Sequence, residues 1–131
     1  MKIKNENIEN LFKAIQKIMN NHYLNFSKIM AILKLHNELK ICFDTLNIAK
    51  NNLLKKYGTK ENESSTRYAI SGSNITIYAN DYNELLNTEI DINVDDIIKF
   101  TIDDLKNMKE IDNTITALDI QSLMLLGNLN G

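Results

Sequence analysis

The side chains with reactive potential are few. The two histidines, His22 and His36, fall on the apolar stripes of two consecutive helical patterns. There they can approach each other, and a histidine pair is half of a tetrahedral zinc set. No cysteine or carboxylate cluster near them completes the set, so they read as polar residues in a helix seam. The single cysteine, Cys42, lies mid-helix beside an apolar stripe. It reads as a buried, inert thiol and not as a nucleophile. One cysteine makes no internal disulfide, which is consistent with a reducing compartment.

The carboxylates offer more patterns. Asp91-Ile92-Asn93-Val94-Asp95 has the spacing of the first ligands of a calcium loop. The sixth position of such a loop needs Gly and holds Asp96; the twelfth needs Glu and holds Ile102. Alternation of Ile and Asp on a half-buried strand explains the segment better. Asp95-Asp96 and Asp103-Asp104 are paired acids of the kind that serve acid–base or magnesium chemistry. Each pair falls at a turn or helix start, where acids are favoured in any case. The chain has no Gly-rich phosphate loop and no nucleophile elbow. An enzyme is therefore not expected, and neither a cofactor nor a bound metal is implied. Asp91, Asp95, Asp96, Asp103 and Asp104 remain as candidate contact residues on an acidic surface.

The charge distribution supports two readings. Residues 1–66 carry 11 Lys and 6 acids, a balance of +5, and residues 67–131 carry 4 Lys or Arg and 11 acids, a balance of −7. The acidic half can fold back on the basic half, or one half can present its charge to a partner. Lys34, Lys40, Lys55 and Lys56 are scattered around the second helical pattern, and Arg67 is the one arginine, although Arg is the usual base reader. A solvated helix face is expected there, and not a nucleic-acid surface.

These residues must be held by elements that the apolar spacing predicts. The 131 residues, 44% of them apolar, suit one domain. No apolar run approaches the roughly 18 residues of a membrane span, and the start lacks a signal-peptide pattern. The expectation is a cytoplasmic protein. The longest element is a helix over 27–57, whose stripe Ile29, Ile32, His36, Leu39, Phe43, Leu46, Lys50, Leu53 and Tyr57 alternates steps of three and four. Ile41 and Ile48 add apolar atoms further round, so the middle turns are expected to be covered on more than one side. Ser27 is the expected cap, and Gly58 stands at the C-terminal cap position.

A first helix is expected over 6–23, with Ile8, Leu11, Phe12, Ile15 and Ile18 on one face. A short Asn-rich connection makes the two helices antiparallel. The first covers only about half of the second, so the overhang from Phe43 to Tyr57 needs another cover. The segment 58–66 reads as a loop, and 67–126 as a small α+β subdomain. Within the latter, Ser71-Gly72-Ser73-Asn74 fits a hairpin turn that places Tyr68 opposite Ile77 and Ile70 opposite Ile75. A short helix with Tyr82, Leu85 and Leu86, a strand over 89–94, and two short helices follow. Thr101/Asp104 and Thr116/Asp119 have capping-box spacing at the starts of those helices. The hairpin and C-terminal helices are expected to cover the overhang. The whole is an α+β fold: an antiparallel helical hairpin with one long central helix, a small antiparallel sheet and short C-terminal helices.

The opening MKIKNENIENLFKAIQKI, the helix end NLLKKYG, the segment NELLNTEIDINVDDI and the closing ITALDIQSLMLL occur in that order. Together they resemble small phage and prophage proteins of unknown function from low-GC Gram-positive bacteria. The absence of Pro and Trp and the heavy use of Asn, Ile and Lys accord with AT-rich coding. The resemblance departs at Leu24–Lys28, where the family often has a Leu-Pro turn. It brings no catalytic or binding residues. What it implies is a phage setting and nothing finer; with no reaction centre and an acidic half, a small phage protein is expected to work in the host cytoplasm by occupying a surface of another macromolecule. The leading expectation is a non-enzymatic inhibitor of a host antiviral system, such as an anti-CRISPR protein. The alternative is a virion-assembly or tail-associated protein. The partner is a host or phage protein, and the long helix can also pair with its own copy.

Overall fold

The structure is a computed structural model that describes residues 1–60, 62–64, 67–94 and 98–126. Helix α1 spans Ile8–Ile18 and α2 spans Phe26–Tyr57. A single 3-10 turn, Asn5–Asn7, precedes α1. Ile8, Leu11, Phe12, Ala14, Ile15 and Ile18 are all buried, so one apolar face docks the whole of α1. The helix ends short of the expected residue 23 because Asn21 folds the connection. Its backbone N–H donates to Ile18 O at 2.9 Å, and its buried side-chain amide donates to Met108 O at 3.0 Å. Asn25, not Ser27, caps α2: its side chain accepts from Lys28 N at 2.9 Å.

Helix α2 is unbroken to Tyr57, and the Gly58 N–H donates to Leu54 O at 2.8 Å. Gly58 has extended backbone, φ −102°, so it is not a left-handed cap. Space requires it instead. A Cβ there would lie 2.7 Å from Leu54 O and 3.0 Å from Tyr68 Cβ.

The small antiparallel sheet is present but is built from strands distant in sequence. Strand β1, Lys2–Lys4, pairs with Glu89–Asp91 in the register Lys2↔Asp91, Ile3↔Ile90, Lys4↔Glu89. The latter is the expected strand over 89–94, shortened at its end. Between these, β2 (Thr59–Lys60) and β3 (Tyr68–Ala69) form a two-residue ribbon within and beyond the expected loop. Glu89–Asp91 is thus β4, the fourth strand in chain order.

The hairpin expected around Gly72 does not form. Residues Asn74–Asn87 are one helix, α3, and Ile75 and Ile77, expected on the hairpin's apolar face, are exposed. Gly72 has φ +65° and its carbonyl accepts from Ile75 N at 3.3 Å, so the turn leads into a helix. Helix α3 packs along the overhang of α2, while Phe12 of α1 stacks on Phe43 and the ribbon abuts the last turn at Gly58. Tyr57 Oη donates to Asp81 at 2.5 Å, Asn74 donates to Tyr57 O at 3.2 Å, and the Lys50 ammonium lies 5.8 Å over the Tyr82 ring.

Helices α4 (Ile102–Ile111) and α5 (Ala117–Leu123) begin with the two expected capping boxes. Contrary to the expectation from sequence, they do not cover the overhang. α5 packs on α1, and α4 is tied by Asn21 and Tyr23 to the end where α1 turns into α2. The reason is that α1 has more apolar surface than α2 alone can bury. Ile98, Phe100, Leu105, Met108, Ile115, Leu123 and Leu126 complete one continuous core with it. Each such side chain, fully buried, contributes roughly 1.5–3 kcal/mol.

Candidate functional site

The acidic candidates divide among different tasks. Asp91, at the end of β4, is exposed and sits 3.3 Å from the N-terminal ammonium. Asp95 and Asp96 lie outside the described residues. Asp103 is exposed in the first turn of α4. Asp104 is half-buried and structural. It accepts from Tyr23 Oη at 2.7 Å and from Thr101 N at 2.8 Å, and Lys28 Nζ lies 3.8 Å away. Burial pushes the Asp104 carboxyl up, but Tyr23, the Thr101 N–H, Lys28 and the Thr101 hydroxyl outweigh it and hold the carboxyl below its usual range. Its hydrogen bond in turn raises the Tyr23 phenol.

Asp119 repeats the arrangement on α5. It takes the Lys17 ammonium at 2.6 Å, and Thr116 N donates to it at 2.8 Å. Burial opposes ionisation here too, and Lys17 with the Thr116 N–H and hydroxyl again bring the net shift downward. Sequence reasoning anticipated the capping role of both aspartates and missed their long-range partners. The signal present was the charge split itself. Lys17 and Lys28 come from the basic half, and their acids come from the acidic one.

The histidines do not meet as a metal pair. His36 stacks on Phe12 with ring centroids 5.1 Å apart, and Phe12 stacks on Phe43 at 5.2 Å. His36 Nε2 is buried without a hydrogen-bond partner among the described residues. His22 is exposed. Among the described residues no group of three His, Cys, Asp or Glu side chains could hold a metal ion. Cys42 is half-buried, and burial, with Glu38 nearby, pushes its thiol up, away from the reactive thiolate.

What stands out is the face of α2 opposite α1. Phe26 is 77% exposed, Met30 44%, Ile41 69% and Ile48 61%. At 3.6 residues per turn these four lie within about 60° of one another around the helix axis. The buried Ile32, Leu35, Leu39 and Leu46 occupy the opposite side. Ile41 and Ile48 are therefore uncovered within the chain, contrary to the expectation that the middle turns are enclosed. Ile41 also forms one wall of an apolar cleft of about 180 Å3, with Cys42, Thr45, Ala49, Leu85 and Ile90. The stripe and the cleft are continuous through Ile41.

Comparison with known protein families, with curated proteins and with solved structures finds no match. No helix among the described residues is long and apolar enough to cross a membrane.

Proposed function

We propose that the chain is a phage-encoded, non-enzymatic protein that inhibits a host antiviral defence system by occupying a surface of one of its proteins. The single observation that carries this reading is the segregation of Phe26, Met30, Ile41 and Ile48 on the outward face of the longest helix. Exposed apolar side chains aligned on one helix face, with Asn37 and Asp44 between them and a cleft beside them, suit a mixed contact surface. Asp104 and Asp119 are engaged in scaffold contacts, so the polar groups with the most perturbed surroundings support the fold. The phage resemblance supplies the setting. The exposed Asp91 and Asp103 add negative charge that suits a basic partner surface.

The test is restoration of phage plating on hosts carrying defined defence systems, with the chain expressed in them. One system is expected to lose protection. Ile41→Asp/Ile48→Asp is expected to abolish that effect while leaving thermal stability within about 0.5 kcal/mol, as for exposed positions. Full protection across all systems tested, or recovery of the chain in purified virions, overturns the reading. The second result favours a virion-assembly role.

A further inference from the structure

The hydrogen bonds of the β1–β4 sheet fix which way each backbone group points. Ile92 N donates to Met1 O at 2.7 Å, and Asn5 N donates to Thr88 O at 3.0 Å. In an antiparallel pair such bonded positions recur at every second residue, so Ile3 and Ile90 are bonded as well. Glu89 and Asp91 fall between these positions. Their N–H and C=O groups therefore point away from β1, along the outer edge of β4. Among the described residues none bonds to those groups. Beside this edge lies the apolar cleft of about 180 Å3. Ile3 is buried in the core, whereas its register partner Ile90 lines the cleft with Ile41. The cleft thus opens on the β4 side of the sheet, toward the solvent face of α2. The two strands also differ in sign. β1 carries exposed Lys2 and Lys4 around Ile3, and β4 carries exposed Glu89 and Asp91 around Ile90. Asp91 keeps its side chain 76% exposed beside the N-terminal ammonium. On one side, β4 is therefore already paired with a basic–aliphatic–basic strand, and its other side presents the same acids.

An open edge offers backbone bonds to any extended chain, and the flanking side chains decide which chain is accepted. A second copy of β4 would set Glu89 opposite Asp91, acid against acid, which opposes self-pairing. A strand with Lys or Arg at two alternate positions meets both acids. An aliphatic side chain between them points to the same face as Ile90, over the cleft. We infer that β4 takes up an extended basic–aliphatic–basic segment of a partner protein by antiparallel strand addition. The two basic residues exchange backbone bonds with Glu89 and Asp91, and the aliphatic side chain enters the cleft between Ile41 and Ile90. This deepens the proposed function and rests on its protein-contact part, since it names the segment that a partner brings beside Ile41.

The probe is a fluorescein-labelled synthetic peptide of about seven residues, the usual length of a strand, in which Lys alternates with Ile. It is titrated into the full chain and followed by anisotropy and by the protein's amide chemical shifts. Saturable binding is expected, with the largest shifts at the Glu89 and Asp91 amides. Methylating the backbone nitrogens of the peptide's Lys residues is expected to abolish binding, and methylating those of its Ile residues to change it less than about threefold, because only alternate amides face β4. Glu89→Gln/Asp91→Asn is expected to weaken binding about tenfold or more with unchanged circular dichroism and Tm, whereas Glu63→Gln/Glu110→Gln, which removes equal charge elsewhere, changes it less than about twofold. Lack of saturable binding overturns the inference. So do methylated peptides that bind alike, loss confined to the Ile amides, equal losses in the two double variants, or equal binding of a peptide with Glu in place of Lys. The two readings fail separately. Restored plating with no peptide binding removes the strand site alone, and peptide binding with plating restored on no host removes the defence role alone.

Discussion

Asp104 and Asp119 show how much a single side chain can be asked to do. Each closes a capping box and also receives a cation from the basic half of the chain. Both carboxyls are held below their ordinary value. Their stabilisation is therefore fully present above the unfolded carboxylate value of about 3.9, and is lost as pH falls through the lower folded value. Urea denaturation in a pH series is expected to show stability from these groups intact at about pH 5–7 and declining below about pH 4. Asp119→Asn keeps an acceptor but removes the charge. It is expected to cost about 1–2 kcal/mol at neutral pH, moderated by the partial exposure of Lys17, and to flatten the acid limb. Gly58 is constrained differently. Gly58→Ala forces a methyl against Leu54 O and Tyr68 Cβ, and an overpacking cost of about 1–3 kcal/mol is expected in thermal denaturation. The aspartates' local role was legible in Thr-x-x-Asp spacing. Their partners, 81 residues away for Tyr23–Asp104 and 102 for Lys17–Asp119, left no local mark. Gly58 was legible as a helix end but for a different reason than the one that holds.

Among the elements, long helices with one buried face were readable, because Ile8 to Ile18 and Ile29 to Leu46 keep a single apolar period. The α3 segment was not. Ile75 and Ile77 alternate like strand residues around a Gly-containing turn, yet they face solvent. The pattern that prevails is Tyr78, Asp81, Tyr82 and Leu85, spaced to face α2 once α2 needs a cover. Local alternation over a few residues was outweighed by tertiary packing over a full helix face. Ile75→Lys/Ile77→Lys therefore discriminates between the two structures. It is expected to change stability by no more than about 0.5 kcal/mol per site, since the positions are exposed, whereas inward-facing hairpin residues would cost several-fold more. The sheet was half legible. Its strand over 89–94 was visible as an extended segment, but the pairing of Ile3 with Ile90 had no signal in the sequence. Of the caps, Thr116→Ala is expected to destabilise by about 1 kcal/mol. It should be non-additive with Asp119→Asn, because the two side chains form one reciprocal pair.

At the scale of the whole molecule, the two ends of the chain meet on α1. Its face toward α2 and its face toward α5 are both apolar, and neither neighbour alone encloses it. Leu123→Ala, at the last residue of α5, in the core and 1% exposed, is expected to cost about 2–5 kcal/mol by equilibrium denaturation. The charge split was the most informative whole-chain property. It pointed to acidic elements returning to basic helices, and Lys17–Asp119 and Lys28–Asp104 are those returns. The surface of α2 toward solvent was the least legible, because a sequence does not say which of two apolar faces a single chain will cover. The fold leaves Ile41 and Ile48 outside because α1 and α3 are both committed to the other side.

The joining of β1 to β4 also sets the order in which this chain can assemble. Its first strand finds its partner only when residue 89 has been made, and α1 is enclosed only when α5 follows. On a ribosome, α2 emerges complete long before either closure is possible, with its apolar stripe waiting. Contacts this far apart in sequence slow folding more than they alter the final stability. Residues 1–18 are thus made well before the segments that secure them, and are among the last to be enclosed.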